Sequence, residues 1–424
     1  MTLIVKSVLV HKECYRLIKI AFLILSATIV GGCEEKKTEA QVIDAQNPEI
    51  QEPSWRKWIP MEGTFDLTVL GREEHTKDLL LVHHGKNTFE IIHQEALRQF
   101  KLEQPSPIAG FHPGNIIPWA GDPSILIEAA EGDNAIRSIR KVDHGYEGIF
   151  NLKLKAPRFI YALNWPHCKN CFVSSPFASD QIDFLMGYDP LEGKIEQYRP
   201  LPLAKTRPSV REPDRLVVGD LNGDDIDEIL IPLRLTKELL IVGHHKKLSK
   251  IKFEVLAHNS QWAMPRYAEI IDLDGKNNPD IVLADEVQPG RMHFLLSNPD
   301  GKYTEVDGPI PGSGQGVVAM AKDEKKGQPG MLAVSSQGSI TLYDLEPLWR
   351  GENNPLAMTV HYDEQVASHI LRLDDIDADS HTDLVAVFPA GVWIVYGPLK
   401  DHFKEMELKG FQPDVAIKRL KSKK

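Results

Sequence analysis

The stretch Val217–Leu230 has the sequence VVGDLNGDDIDEIL, an apolar run, a cluster of oxygen-bearing side chains and a second apolar run. Both flanks predict β-strands because they are short, apolar and rich in β-branched residues. Counted from Asp220, side-chain oxygens occupy loop positions one, three, five and nine: Asp220, Asn222, Asp224 and Glu228. Ca²⁺ prefers such oxygen ligands, and Gly223 allows a tight turn around the ion. The stretch therefore predicts a calcium loop between two strands, whereas an EF-hand needs flanking helices.

The same pattern returns in two later stretches, Glu269–Val282 and Leu371–Leu384. The first has Lys276 at position five, and its acids stand at positions one, three and nine: Asp272, Asp274 and Asp280. The second has an acid at all four positions: Asp375, Asp377, Asp379 and Asp383. Because Lys276 places a positive charge where an oxygen ligand is expected, the first of these loops is predicted to bind a cation more weakly.

These three stretches resemble the FG-GAP/VCBS repeat family, whose members include the integrin alpha-chain head and many bacterial surface proteins. The resemblance implies a β-propeller with calcium bound in loops of some blades. We therefore expect Ca²⁺ as a structural cofactor at two or three sites. The family often uses a propeller face to bind protein or carbohydrate ligands.

Four more apolar stretches occur where the strand after such a loop would lie: Leu79–Val82, Ile125–Glu128, Phe172–Ser175 and Met331–Val334. With the acidic copies included, the ninth loop position recurs every 46 to 57 residues, at 78, 124, 171, 228, 280, 330 and 383. A period near fifty residues suits one four-stranded propeller blade. The sequence thus predicts an all-β propeller of seven four-stranded blades over residues 55–410, with six or eight blades as alternatives.

Residues 1–32 have the features of a signal peptide, with basic residues before an uncharged run at 20–32. The run is thirteen residues long, shorter than the stretch of about twenty that spans a bilayer. The sequence before Cys33 resembles a lipoprotein cleavage box, which makes Cys33 the predicted lipidation site. An ordinary signal peptide with an incidental cysteine is the alternative. By the sorting rule of bacterial lipoproteins, Glu34 after the cysteine favours the outer membrane if the cell has one.

Residues 33–54 are predicted to form a flexible tether, since the segment after the cysteine is polar and without aromatic residues. Residues 411–424 form a basic C-terminal tail, for which solvation is the default and attraction to an anionic surface the alternative. The whole chain carries a formal net charge of −11, which does not suit nucleic-acid binding. The expected partners are therefore a membrane, through the N-terminal lipid, and a protein or carbohydrate ligand.

Two cysteines, Cys168 and Cys171, remain outside the signal peptide and the lipidation site. In an exported protein, a disulfide that closes a turn is the expected state of this pair. A redox dithiol or a zinc site are the alternatives, although zinc would need further ligands. Paired histidines occur at His83-His84 and at His244-His245, and we expect them to be exposed turn residues, with a shared metal site as the alternative.

The sequence favours a binding or scaffold protein over an enzyme, and no catalytic residue is assigned. The alternative is a carbohydrate-active lyase or hydrolase with its site on the propeller axis, and a subunit of an envelope assembly is a third possibility. An enzyme predicts a deep axial pocket with converging His, Arg, Tyr or carboxylate side chains. A binding module predicts a broader face with exposed aromatic side chains.

Overall fold

The computed structural model describes the following residues: 54–71, 77–96, 98–103, 106, 109–143, 145–203, 213, 215–243, 250–273, 278–286, 292–307, 317–323, 328–336, 339–344, 356–361, 368 and 370–402. The predicted signal peptide, Cys33 and nearly all of the tether lie outside this range, as does the basic tail. No helix in the described part of the chain is long and apolar enough to cross a membrane.

The described residues contain 28 strands, which form seven antiparallel sheets of four strands each. We number these sheets as blades 1 to 7. Blade 1 consists of β2 (Asp66–Gly71), β3 (Lys77–His83), β4 (Thr88–Ala96) and β5 (Gln99–Leu102). Blade 2 consists of β6 (Pro113–Trp119), β7 (Asp122–Ala130), β8 (Ala135–Val142) and β9 (Gly145–Lys153). Blade 3 consists of β10 (Pro157–Trp165), β11 (Cys168–Pro176), β12 (Gln181–Met186) and β13 (Gln197–Pro202).

Blade 4 consists of β14 (Val217–Gly219), β15 (Glu228–Leu233), β16 (Glu238–Val242) and β17 (Phe253–His258). Blade 5 consists of β18 (Pro265–Ile271), β19 (Asp280–Asp285), β20 (Met292–Ser297) and β21 (Tyr303–Asp307). Blade 6 consists of β22 (Val317–Asp323), β23 (Gln328–Ser336), β24 (Ser339–Asp344) and β25 (Leu356–His361). Blade 7 consists of β26 (Ile370–Asp374), β27 (Asp383–Phe388), β28 (Gly391–Val395) and the first strand of the chain, β1 (Arg56–Pro60).

The blades pack side by side into a ring, because apolar clusters fill the spaces between successive sheets. Separate clusters join blades 1 and 2, 2 and 3, 3 and 4, and 4 and 5, and one large cluster joins blades 5, 6 and 7. A further cluster closes the ring, since Leu67 and Leu79 of blade 1 share it with Ile370 and Val385 of blade 7. The expectation of an all-β propeller with four-stranded blades is confirmed.

The second strand of each blade is the most deeply buried because it lies between two neighbouring sheets. The strands β15, β19 and β27 are buried along their whole length. Such a strand is covered on both faces and therefore has a continuous apolar sequence rather than an alternating one. All seven stretches that the sequence analysis placed after the loops lie in second strands.

The two ends of the chain close the ring within blade 7. Strand β1 lies antiparallel to β28, with Trp58 opposite Trp393. Strand β28 is the third strand of this sheet and β1 is its outer strand. The first described strand therefore pairs with the last three to complete this sheet. As a result, β28 is paired on both sides and is not an exposed edge strand.

A buried ionic network stabilises blade 5 around His293, whose side chain is 2% exposed. Its Nε2 lies 3.1 Å from Asp285 Oδ2, and its Nδ1 lies 3.0 Å from Glu305 Oε1. Trp262 Nε1 donates to the same Glu305 oxygen at 2.9 Å. Burial alone lowers the pKa of His293, but the hydrogen bonds to Asp285 and Glu305 outweigh it and raise this pKa above 6.5. Burial alone raises the pKa of Glu305, but hydrogen bonds from His293, Trp262 and Asn259 lower it to about 2.

We expect His293→Gln to destabilise the protein most between about pH 4.5 and 6.5. A raised histidine pKa contributes stability below its unfolded value, and this contribution disappears as the pH rises through the folded value. The lowered Glu305 pKa contributes above its unfolded value and is lost as the pH falls toward 2. Urea unfolding at several pH values measures the difference in free energy from the wild type. An equal difference at pH 5.5 and pH 9 would refute a charged His293.

Candidate functional site

The acidic loops follow the ends of innermost strands, and all three lie at one end of the ring. In blade 7, carboxylate oxygens of Asp375, Asp377 and Asp383 lie within 4.8 Å of one another. Asp379 is outside this cluster, although its backbone N–H donates to Asp375 and Asp377 at 3.2 and 3.3 Å. Converging carboxylates of this kind suit a hard divalent cation such as Ca²⁺. Of the predicted metal residues in the described chain, these three are the ones that the structure brings together.

The blade 4 loop has the same backbone shape but a looser set of acids. Positions four and six adopt positive φ in both loops, at Gly223 (78°) and Asp225 (63°) in blade 4 and at Ala378 (61°) and Ser380 (67°) in blade 7. Asp220 accepts backbone hydrogen bonds from residues 222 to 225, at 2.7 to 3.2 Å. A matching loop conformation from different residues at these two positions indicates that both loops are set by the same acid-to-backbone bonds.

Burial raises the pKa of Glu228 in the blade 4 loop to about 7, and the charges of Asp224 and Asp220 contribute to this rise. Glu228 Oε1 accepts from the Asn222 amide at 3.1 Å. The negative charges of Asp220 and Asp224 thus repel that of Glu228, and Asn222 contributes a neutral amide. A bound cation would remove that repulsion.

In the blade 5 loop, the structure describes Asp272 and Asp280, whereas Asp274 and Lys276 lie outside the described residues. Asp280 Oδ2 accepts from the backbone of Leu273 at 2.7 Å, and Oδ1 accepts from the backbone of Ser297 at 2.7 Å. Both oxygens of this fully buried carboxylate therefore have backbone partners. Its structural role is clear from these bonds alone.

The ninth-position acid makes the same bond in all three loops. Glu228, Asp280 and Asp383 each accept the backbone N–H of loop position two, at 2.9, 2.7 and 2.7 Å. Asp383 also accepts from Gly397 beyond the third strand, at 2.7 Å. In blade 1, Asp78 accepts from the backbone of Gln94 within the third strand, β4, at 3.2 Å. This bracing role was not predicted from the sequence, although the acid at position 78 is a signal that could have indicated it.

Arg98 supplies a cation to the blade 7 loop from the neighbouring blade 1. Its Nε donates to Asp377 Oδ2 at 2.8 Å, and its Nη2 donates to Asp379 Oδ2 at 3.1 Å. The guanidinium also lies 4.7 Å from the centre of the Tyr396 ring. Beside it, Lys77 Nζ pairs with Asp374 at 2.6 Å. These bonds join the first and last blades, and the sequence alone did not indicate them.

The cysteine and histidine pairs fall in different environments. Cys168 and Cys171, for which a disulfide was expected, are joined by one at the turn between β10 and β11, with their Cα atoms 5.6 Å apart.

The expectation that His83 is exposed is wrong, because it is the last residue of β3 and is fully buried. Burial lowers its pKa. His244 and His245 lie outside the described residues.

A cavity of about 640 Å³ lies along the axis, enclosed by the innermost strands of blades 2, 3, 4, 5 and 7. We call it the axial cavity. Its polar lining consists of Tyr161, Arg215, Asp227, Arg266, Tyr267, Glu269 and Arg372. Burial raises the pKa of Glu269 to about 7, although the nearby charge of Arg372 opposes this. Basic, phenolic and acidic groups from several blades thus converge on the axis, as expected for a ligand site.

A second cavity of about 320 Å³ lies where the innermost strands begin, at the end opposite the acidic loops. We call it the mouth cavity. It shares Arg215, Arg266 and Tyr267 with the axial cavity, and Phe65, His84 and Phe159 complete much of its wall.

Aromatic rings of blades 1 to 3 form a continuous belt along one side of the mouth cavity. His84 contacts Phe65 and His112, with ring centres 4.7 and 4.6 Å apart, and Phe111 lies 4.3 Å from His112. Phe65 stacks with Phe159 at 6.1 Å. Phe111 is 52% exposed, so the belt reaches the surface. The structure therefore combines a converging axial pocket with exposed aromatic side chains, the features expected of an enzyme and of a binding module.

Comparisons with known proteins define the fold. No protein-family model and no curated protein matches the chain. The structure is similar to virginiamycin B lyase from Staphylococcus aureus, with a TM-score of 0.52 and 10% identity over 80% of this chain and 98% of that one. It is also similar to Kuenenia stuttgartiensis hydrazine synthase, with a TM-score of 0.55 and 12% identity over 80% of this chain and 96% of that one. At these identities the likeness shows the propeller fold and does not carry an activity.

We expect Arg98→Ala to lower the free energy of unfolding by about 2 kcal/mol, because it leaves the buried Asp377 without its charged donor. Thermal unfolding measures the change, and Arg98→Lys should recover part of it. Arg199→Ala, at an exposed position of β13, is the matched control and should change little. Equal melting of the Arg98→Ala and Arg199→Ala variants would show that the bond between blades 1 and 7 does not stabilise the ring.

Proposed function

We propose that this protein is an exported, lipid-anchored, seven-bladed propeller that binds a protein or carbohydrate ligand at its mouth cavity. The observation that carries the proposal is the joining of two cavities through Arg215, Arg266 and Tyr267 beneath an aromatic belt. Pockets of several hundred Å³ with a few convergent polar groups are typical ligand sites. Function does not follow from the fold, and the support for this proposal therefore comes from the side chains that line the two cavities.

The separation of the two ends of the ring supports a division of roles. The acidic loops follow the ends of the innermost strands, whereas the mouth cavity lies at their beginnings. Hydrogen bonds within each loop occupy its carboxylates with neighbouring backbone N–H groups. We therefore assign the loops a structural role and the mouth cavity the binding role.

Calcium is part of this proposal as a structural ion. The blade 7 loop gathers three carboxylates, and the blade 4 loop has three acidic ligand candidates and Asn222, with a raised Glu228 pKa. The blade 5 loop is the weakest of the two or three expected sites, because Lys276 stands where an oxygen ligand is expected. A bound ion would fix the turn between first and second strands.

The N-terminal segment places the propeller in the cell envelope under this proposal. Lipidation of Cys33 would anchor the chain, and residues 33–54 would act as the tether. The predicted location is the bacterial cell envelope, at the outer membrane if the cell is Gram-negative. The resemblance to FG-GAP/VCBS repeats supports a surface role of this kind.

We expect Asp377→Ala to lower calcium affinity and the melting temperature together, because Asp377 contributes to the carboxylate cluster. Melting in excess calcium and in excess EGTA, with bound metal counted by native mass spectrometry, measures both. Asp143→Ala, at an exposed turn, is the matched control. Unchanged metal content and unchanged melting in the Asp377→Ala variant would contradict the assignment of this loop.

We expect Phe65→Ala to weaken binding about tenfold, because this ring connects His84 and Phe159 in the belt. Glycan and peptide arrays probed with the soluble domain identify a ligand, and calorimetry gives the affinity. Phe150→Ala removes an exposed ring from the outer strand β9 and serves as the control. A ligand whose affinity falls with Phe150→Ala and not with Phe65→Ala would place the site elsewhere.

A carbohydrate-active lyase or hydrolase is the second candidate, and Glu269 is the observation that favours it. A carboxyl group with a pKa of about 7 can accept or donate a proton at neutral pH. Glu269→Gln, assayed with the ligand found above, separates the two functions. If the wild type turns the ligand over and Glu269→Gln binds it without turnover, the protein is an enzyme. If the wild type shows no turnover, the binding function remains the conclusion.

A further inference from the structure

We infer that the ligand of the mouth cavity is an acidic saccharide, a glycan whose sugar ring carries a carboxylate. The inference rests on the proposed function and names the class of ligand for the same site. It depends on how guanidinium groups and aromatic faces are arranged around the mouth cavity.

Two arginines form the charged part of the mouth cavity. Arg215 precedes β14 and Arg266 is the second residue of β18, so neighbouring blades hold both at the beginnings of their innermost strands. Both side chains line the mouth cavity and the axial cavity. Among the described residues that line the mouth cavity there is no carboxylate. An anion in this cavity therefore faces two guanidinium groups and no carboxylate of the lining.

Carboxylates behind the wall hold these guanidinium groups in position. Arg215 donates through Nη1 and Nη2 to Asp66 Oδ1, each at 3.2 Å. Arg266 and Arg234 both donate to Glu286. Asp66 is 3% exposed and Glu286 is 9% exposed, so these acids are buried partners rather than surface competitors. Paired arginines of this kind are preorganised for a planar carboxylate.

The ion pairs at and behind the mouth cavity carry one excess positive charge on an acidic protein. Arg158 pairs with Glu131 at 3.6 Å, Arg215 pairs with Asp66, and Arg234 and Arg266 share Glu286. The whole chain has a formal net charge of −11. A locally positive cavity on a negative surface directs an anionic ligand to one place.

Flat aromatic faces accompany the charge. Arg158 lies over Phe65 and Phe177, with distances of 5.5 and 4.6 Å to the ring centres, and Arg215 lies 4.6 Å from the centre of Phe159. An inorganic anion would contact the arginines without using the aromatic rings, and a neutral sugar would hydrogen-bond to the arginines without forming an ion pair. A pyranose ring that bears a carboxylate would contact both, with its ring on the partly exposed Phe65 and His84 and its acid against Arg215 and Arg266. Phe159 is 1% exposed, so it supports Arg215 from behind rather than the sugar.

The test measures binding of uronic-acid tetramers by calorimetry on the full propeller domain. Galacturonate, glucuronate and mannuronate tetramers are the probes, and the corresponding neutral tetramers are their controls. We expect at least one acidic tetramer to bind ten times more tightly than its neutral counterpart. We expect Arg266→Gln to remove most of that preference, since Arg234 still pairs with Glu286 in this variant and the fold should be kept. Arg199→Gln, on the exposed edge of blade 3, should leave the preference unchanged.

Salt provides a second readout that does not depend on a folded variant. Raising the ionic strength should weaken binding of the acidic tetramer and leave a neutral one almost unaffected. Equal affinity for acidic and neutral tetramers, insensitive to Arg266→Gln and to salt, would overturn the inference while the proposed function stands. Binding of a peptide at the mouth cavity with no uronate bound would also overturn it. If no saccharide or peptide binds at the mouth cavity, both the inference and the proposed function fail.

Discussion

The hydrogen bond from a loop N–H to a buried carboxylate at the start of a second strand is the interaction on which the propeller depends. Asp383 shows it most fully, since it accepts from Ile376 in the loop and from Gly397 after the third strand. A buried carboxylate without partners is strongly unfavourable, so each such acid specifies where its neighbouring backbone must lie. The bond thereby connects three successive strands of one blade. It also fixes the end of the innermost strand, which forms the wall of the axial cavity.

Closing the ring requires a different kind of interaction, because blades 1 and 7 are far apart in sequence. Apolar packing through Leu67 and Ile370 supplies most of the contact. Arg98 adds a specific ionic link by reaching from blade 1 into the acidic loop of blade 7. The same loop therefore stabilises its own blade through Asp383 and contacts the neighbouring blade through Arg98. A cation at this loop would share its carboxylates with a guanidinium group, which distinguishes it from the blade 4 loop.

The sequence predicts the blades well because their determinants are local. A loop with acids at fixed spacing followed by an apolar run, as in Val217–Leu230, specifies two strands and the turn between them. The mouth cavity has no such local signal. Phe65, Phe159, Arg215 and Arg266 belong to four different blades, and they come together only when the ring closes. The prediction for His83 was wrong because it placed the turn one residue too early. His83 is the last residue of β3 and is buried, whereas a turn residue would be exposed.

The central proposal is that the acidic loops at one end of the ring are structural and that the mouth cavity at the other end binds a ligand. A crystal structure of the domain from residue 55 onward, grown with calcium and soaked with an acidic oligosaccharide, tests this most directly. The account predicts cation density in the loops of blades 4 and 7 and saccharide density at Arg215 and Arg266. Saccharide density at the acidic loops, with the mouth cavity empty, would contradict it.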